Sequence, residues 1–231
     1  MAVSPRSATL DRWVKSLGRR RTRSSSRRSL VGLGDFGRHA PSLDQDEVSV
    51  YDALVRRFLG PRLDAFGGSG LVLGVDAEPG WADVLPAGAN VEVFGATSGS
   101  EFELAAAENM DWVVLDRCLQ MRPEMALALD EVVVRLRAGA GLVTFFTGIA
   151  RAEPGDRAPL WSVAPYAARR LHEECRELER VEVDQYGNVT LALAWIYRLP
   201  AHDLTEGELA AVDPAYPVLV AVTASKRGGP L

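Results

Sequence analysis

Cysteine and histidine are scarce in this chain, and their scarcity closes off several chemistries at once. The two cysteines, Cys118 and Cys175, are too few for a disulfide framework, and with the three histidines they show no metal-ligand spacing. Both are expected as buried or half-buried thiols. His39, His172 and His202 stand outside any acid-and-nucleophile pattern of a catalytic triad and are expected as ordinary surface side chains. No apolar run reaches the roughly 18 residues that span a bilayer, and no apolar stretch of secretory type follows the basic start. The expectation is a cytoplasmic protein without a membrane span. Internal repeats are also lacking, and nothing in the pattern requires a second domain.

Positive charge is thin over most of the chain and crowded at its start. Residues 1–40 hold ten Lys/Arg against Asp11 and Asp35, whereas residues 41–231 hold 16 basic against 29 acidic side chains, for a net charge of −5 overall. The stretch from Arg19 to Ser29 reads Arg-Arg-Arg-Thr-Arg-Ser-Ser-Ser-Arg-Arg-Ser. With no apolar side chain to pack, it is expected to be a disordered arm. Clustered arginine can hold phosphates without sequence specificity, so an anionic partner is one reading: nucleic acid, an anionic membrane or an acidic protein. A plain solvated extension is the other, and the lack of aromatic residues among those arginines favours it, because nothing there would stack on bases. Residues 41–231 then suit one domain, long enough to bury roughly 70% of its unfolded surface.

What is present in that domain alternates between two periodicities. Val48, Tyr51, Leu54, Val55 and Phe58 recur at helical spacing, which predicts an amphipathic helix over 46–59. Leu71 to Val75 and Asn90 to Phe94 read as strands. Met110 to Leu115 is a nearly continuous apolar run, as a parallel strand covered on both faces requires, and it stops at Asp116-Arg117-Cys118. Pro123 is expected to open a helix whose apolar face is Met125, Leu127, Leu129, Val132, Val133 and Leu136. Gly139-Ala140-Gly141 leads into a strand at Leu142 to Phe146, and a helix from Pro165 to about Arg176 follows a polar loop. Val181 to Asp184, Val189 to Tyr197 and Pro217 to Ala224 predict a strand, a helix and a last strand. The fold class is α/β: a doubly wound, mostly parallel sheet with its last strand antiparallel.

Ligands of such sheets collect beyond the carboxyl ends of the strands, which brings Asp116, Arg117 and Thr147 toward any site by topology alone. Asp116 and Arg117 would either meet a ligand or pair with each other at the surface. Asp76 and Glu78, just past the first strand, would repel a pyrophosphate, which disfavours a dinucleotide enzyme. Gly67-Gly68-Ser69-Gly70 precedes its strand and reads as a plain loop. Tyr186-Gly187-Asn188 would line a substrate mouth, or else Gly187 serves a turn with positive φ and Asn188 caps the following helix. Trp161 is a lid over the pocket or an apolar plug, and Thr205 and Glu208 have capping-box spacing.

These residues resemble a family. Trp161, Ala168-Arg169-Arg170-Leu171, Glu173-Glu174, Tyr186-Gly187-Asn188, Leu204, Glu208-Leu209 and Asp213 to Pro217 are similar to the end of class I S-adenosylmethionine-dependent methyltransferases, of the small bacterial type associated with sugar and glycan pathways. Asp111 to Gln120 resembles the family's fourth strand, and Leu136 to Leu142 its helix, glycine turn and fifth strand. The likeness spans about residues 105–226 well and 29–75 loosely. It implies a Rossmann-like sheet of seven strands, S-adenosylmethionine as cofactor held by Gly74, Asp76, Asp116 and Arg117, and a small-molecule acceptor bordered by Trp161, Tyr186 and Asn188. The chain departs from the family pattern in three places. Its first strand and loop keep only Gly74 before Pro79, its second strand carries Glu92 in the middle rather than an acid at the end, and Ser162 stands where the family tends to an arginine.

Methyl transfer to an oxygen or nitrogen of a small molecule, such as a sugar, is thus one expectation; a catalytically inactive relative that binds or scaffolds is the other. The arm generates a prediction of its own. Residues 1–28 hold only Leu10, Trp13, Val14 and Leu17 as sizeable apolar side chains at helical spacing, too short a segment to be stable alone. Deleting them should leave the melting temperature within error and abolish any salt-sensitive binding to heparin.

Overall fold

The computed structural model describes residues 48–65, 67–74, 85, 90–95, 107–151 and 159–228. The basic arm, Asp76 and Glu78 lie outside these residues. The first described helix, α1, spans Val50–Leu59, and the Ser49 side chain caps it by accepting from the Asp52 amide. The helix starts four residues later than its periodicity predicts, because a cap with extended backbone must precede the first turn. Strands follow at Ser69–Gly74 (β1), Asn90–Gly95 (β2) and Trp112–Asp116 (β3). Helix α2 covers Met125–Arg135, strand β4 Gly141–Thr147, helix α3 Pro165–Glu174 and strand β5 Leu178–Tyr186. Helix α4 (Val189–Ile196), the short helix α5 (Glu206–Ala210) and strand β6 (Leu219–Lys226) complete the order.

The sheet order is β2-β1-β3-β4-β6-β5. β1 pairs in parallel with β2 and β3, and β3 in parallel with β4. β6 is antiparallel to both β4 and β5. The last strand is therefore reversed and inserted between its neighbours, and the sheet is the doubly wound, mostly parallel one that the sequence predicts. Among the described residues six strands form it.

Alternation along the strands feeds two cores. Val72, Trp112, Val114, Val143, Phe145 and Ala221 meet α1 and α4 on one face. Leu71, Leu73, Val113, Leu115, Leu142 and Phe146 meet α2 and α3 on the other. A strand with helices on both sides needs apolar residues at consecutive positions, which is why β3 reads as an unbroken run. Gly70 is required by this packing, since a Cβ there would run into the Trp112 indole on the neighbouring strand. At the other end of the sheet Gly187 has φ +144°, and a Cβ would collide with the Tyr216 carbonyl and the Val218 amide. The expected turn is present.

Three sequence expectations are corrected. Pro123 lies ahead of α2 rather than in its first turn, because Glu124 takes the cap position. Leu127 is 58% exposed, so the buried stripe of α2 narrows to Leu129, Val132 and Val133, with Leu136 just after the helix. His172 is not at the surface. It is fully buried on α3, with Nδ1 donating to the Ala168 carbonyl at 2.8 Å and Nε2 accepting from the Thr144 hydroxyl at 3.0 Å. Helical periodicity places it on the inner face; the hydroxyl that satisfies it comes from β4, 28 residues away in the chain. The capping box between Thr205 and Glu208 is formed in both directions, as its spacing predicts.

Burial favours the neutral imidazole and pulls the His172 pKa down to about 4. A free histidine titrates near 6.5, so the unfolded chain takes up a proton as pH falls below that value while the native state does not until about pH 4. Stability is therefore retained above pH 6.5 and drops between 6.5 and 4, by about 3 kcal/mol. Urea unfolding of wild type and His172→Gln across this range should show a shallower loss in the variant.

Candidate functional site

The sheet has its topological switch at β1, from which the chain crosses to β2 on one side and β3 on the other. Register brings Gly74 beside Gly95 on β2 and beside Asp116 on β3, at the carboxyl end of all three strands. Neither glycine puts a Cβ at that edge, so a ligand could approach the backbone closely. Asp116 supplies the charge. It is 2% exposed, and its Oδ1 accepts a 2.6 Å hydrogen bond from the Tyr51 hydroxyl of α1.

Arg117 closes over this pair. Its backbone takes φ 59°, a left-handed conformation uncommon outside glycine, and its amide donates to the Phe145 carbonyl at 2.9 Å. The guanidinium turns back to Asp116, with Nε 3.3 Å from Oδ1 and Nη2 3.5 Å from Oδ2. It also lies 4.7 Å from the centre of the Tyr51 ring. The alternative of a surface ion pair is thereby replaced, since the two side chains are only 18% and 3% exposed. A series of stacked rings continues from there. Trp195 of α4 tilts against Tyr51 at 5.7 Å, and the Arg151 guanidinium sits 4.3 Å over Trp195. Trp195 Nε1 donates to the Ile149 carbonyl just past β4.

Burial keeps the ionisable hydroxyl and thiols here in their neutral forms. Burial, then the Asp116 charge, raises the Tyr51 pKa well above its usual value, so it remains a phenol and a donor. Burial and Asp116 likewise push the Cys118 thiol up and keep it protonated. Cys175 is raised to about 11, mainly by burial. Among the described residues no group of three or more His, Cys, Asp or Glu side chains could hold a metal ion, and no helix is long and apolar enough to cross a membrane.

A second buried polar cluster lies four residues beyond Asp116. Gln120 is 1% exposed; its Oε1 accepts from the Thr147 amide at 2.8 Å, while Nε2 donates to Thr147 Oγ1 at 2.7 Å and to the Trp161 carbonyl at 3.1 Å. Trp161 is in turn 44% exposed, with its indole nitrogen donating to the Arg122 carbonyl at 2.9 Å. This clamp pins the loop ahead of α3 against the end of β4.

The structure thus brings Gly74, Asp116 and Arg117 together and adds Tyr51. Trp161 is held on the Gln120 clamp. Tyr186 closes β5, three strands away across the sheet from β3, which is roughly 14 Å at ordinary strand spacing. Its ring packs edge-to-face on Phe58 at 6.3 Å. The Asn188 side chain is spent on structure: Oδ1 accepts from the Leu191 amide at 3.0 Å, and Nδ2 donates to the Glu208 and Ala211 carbonyls at 2.8 and 2.7 Å. Tyr51 was legible only as a core position of an amphipathic helix, and Gln120 only as the end of a stretch that resembles the family's fourth strand. Both meet their partners through tertiary contacts.

No protein-family model and no curated protein matches the chain. Solved structures similar to it include the N-methyltransferase NodS of Bradyrhizobium japonicum, 15% identical over 80% of this chain and 99% of that one, with a TM-score of 0.44. An S-adenosylmethionine-dependent methyltransferase from Archaeoglobus fulgidus is 12% identical over 75% of this chain and 94% of that one, TM-score 0.43. Phosphoethanolamine N-methyltransferase 2 of Haemonchus contortus, in complex with S-adenosylmethionine, is 12% identical over 78% of this chain but 56% of its own, TM-score 0.46. Likenesses this distant do not assign an activity.

Replacing Gln120 with leucine should test the clamp. The Thr147 amide and the Trp161 carbonyl would lose buried partners, at about 2–4 kcal/mol together, read as a lower urea midpoint with an unchanged slope.

Proposed function

We propose that the chain binds S-adenosylmethionine at the carboxyl edge of β1 and β3 and transfers its methyl group to an oxygen or nitrogen of a small molecule. The observation that carries this reading is the row formed by Gly74, Gly95 and the buried Asp116 at the switch point of the sheet. The donor set fits a cationic ligand: a buried carboxylate beside two residues without side chains suits an ammonium or sulfonium, whereas a phosphate would meet repulsion. When bound, the cofactor would supply a methyl group that is already electrophilic. The residues of this chain then have three tasks. Gly74 and Gly95 leave room at the backbone, Asp116 holds positive charge, and the rings of Tyr51 and Trp195 exclude water from one side. Orientation alone can supply several kcal/mol of the barrier, so a strong general base is not required. A sugar acceptor and a cytoplasmic setting belong to the same reading, and the basic arm would serve an anionic partner.

A second reading is favoured by one observation. Arg117 already faces Asp116 and offsets its charge, as expected of a relative that keeps the fold without the reaction. The two readings part on ligand binding. S-adenosylhomocysteine at 100 times its Kd should add about 2.7 kcal/mol of stability and raise the melting temperature. An unchanged melting curve and no calorimetric heat at millimolar ligand would leave the inactive binding or scaffold protein.

A further inference from the structure

The geometry points to Tyr51 as a positioning residue of the ligand site: its hydroxyl fixes Asp116 Oδ1 and so presents Oδ2 to the ligand. This inference rests on the cofactor site proposed above. Asp116 receives its polar contacts unevenly. Oδ1 accepts from the Tyr51 hydroxyl at 2.6 Å and from Arg117 Nε at 3.3 Å, whereas Oδ2 has only the long 3.5 Å approach of Arg117 Nη2 among the described contacts. Oδ2 is therefore the oxygen with acceptor capacity to spare for an ammonium.

The two groups that hold Asp116 differ in kind. Arg117 is its chain neighbour and arrives on a strained backbone with a flexible side chain. Tyr51 comes from 65 residues earlier, is 1% exposed, and has its ring packed against both Trp195 and the Arg117 guanidinium. A phenol facing a carboxylate can only donate, so the direction of the bond is settled by chemistry. Without that donor the carboxylate is free to turn so that its two long contacts with Arg117, 3.3 and 3.5 Å, close into a tight two-oxygen pair, which a guanidinium favours. Oδ2 would then be occupied by the chain itself. Helix α1 is by this argument one wall of the ligand site as well as a core helix.

Tyr51→Phe removes one oxygen and keeps the ring. Isothermal titration with S-adenosylhomocysteine, run where circular dichroism shows every variant folded, should find binding weakened about tenfold, the worth of one hydrogen bond to a charged group. In an Asp116→Asn background the same substitution should change affinity little, because the group it positions is already altered. Equal affinity of Tyr51→Phe and wild type would overturn the inference and leave the cofactor reading standing. A tenfold loss that persists in the Asp116→Asn background would also overturn it, since Tyr51 would then act by another route. Absence of binding by wild type at millimolar ligand would remove the cofactor reading and this inference with it.

Discussion

A carboxylate withdrawn from water at the end of β3 is the constraint on which the site and much of its surroundings depend. An unpaired buried charge is too costly to survive in a folded protein, so Asp116 must be met by donors from its neighbours. Tyr51 answers from α1 and Arg117 from the turn after β3. Each answer has structural consequences. The hydroxyl requires α1 to dock at a particular rotation on the sheet, which also sets Phe58 edge-on to Phe145 at 5.3 Å. The guanidinium requires a left-handed residue at 117, held by the bond from its amide to β4.

The same edge of the sheet carries a second set of buried polar groups with a different purpose. Gln120 has its oxygen and both hydrogens occupied, and its partners tie together the turn after β3, the end of β4 and the loop before α3. A fully satisfied buried amide specifies one arrangement of these loops, because any other would leave polar atoms unmatched in a dry interior. Trp161 is thereby fixed while its ring stays partly in solvent. The two clusters divide the labour at the carboxyl edge: one concentrates charge beside the glycines, and the other makes the adjoining loop rigid.

Behind that edge, the insertion of β6 between β4 and β5 gives the sheet its asymmetry. Its Val220 and Val222 face α3 while Leu219 and Ala221 face α1 and α4, so a reversed strand continues both cores without interruption. β5 is left at the margin, where the bulge between Glu179 and Glu182, and the alternating acids, make a poor template for another strand. Ion pairs of α1 and of the turn after it reach across to this side through Arg57 with Glu206 and Arg62 with Asp184. As half-exposed pairs they contribute little individually.

The order of strands and helices, the double cover of β3, the turn at Gly187 and the cap at Asn188 were all legible in the residues, because each follows from periodicity or from a backbone requirement local to a few positions. Asp116 and Arg117 were legible as site candidates for a related reason: topology alone sends strand ends to the ligand edge of an open sheet, whereas Gly74 was a candidate only through the family resemblance. Register, side-chain direction and burial were not. Whether Asp116 paired at the surface or stood buried depended on a hydroxyl from a helix 65 residues away, and His172 became a core residue only because Thr144 on another element could bond it. Tyr51 met Asp116, and Gln120 its loop partners, for the same reason. Local sequence determines which element a residue joins and which way its neighbours alternate; the partner that makes a buried polar group affordable comes from elsewhere in the chain, and only the packed structure decides it.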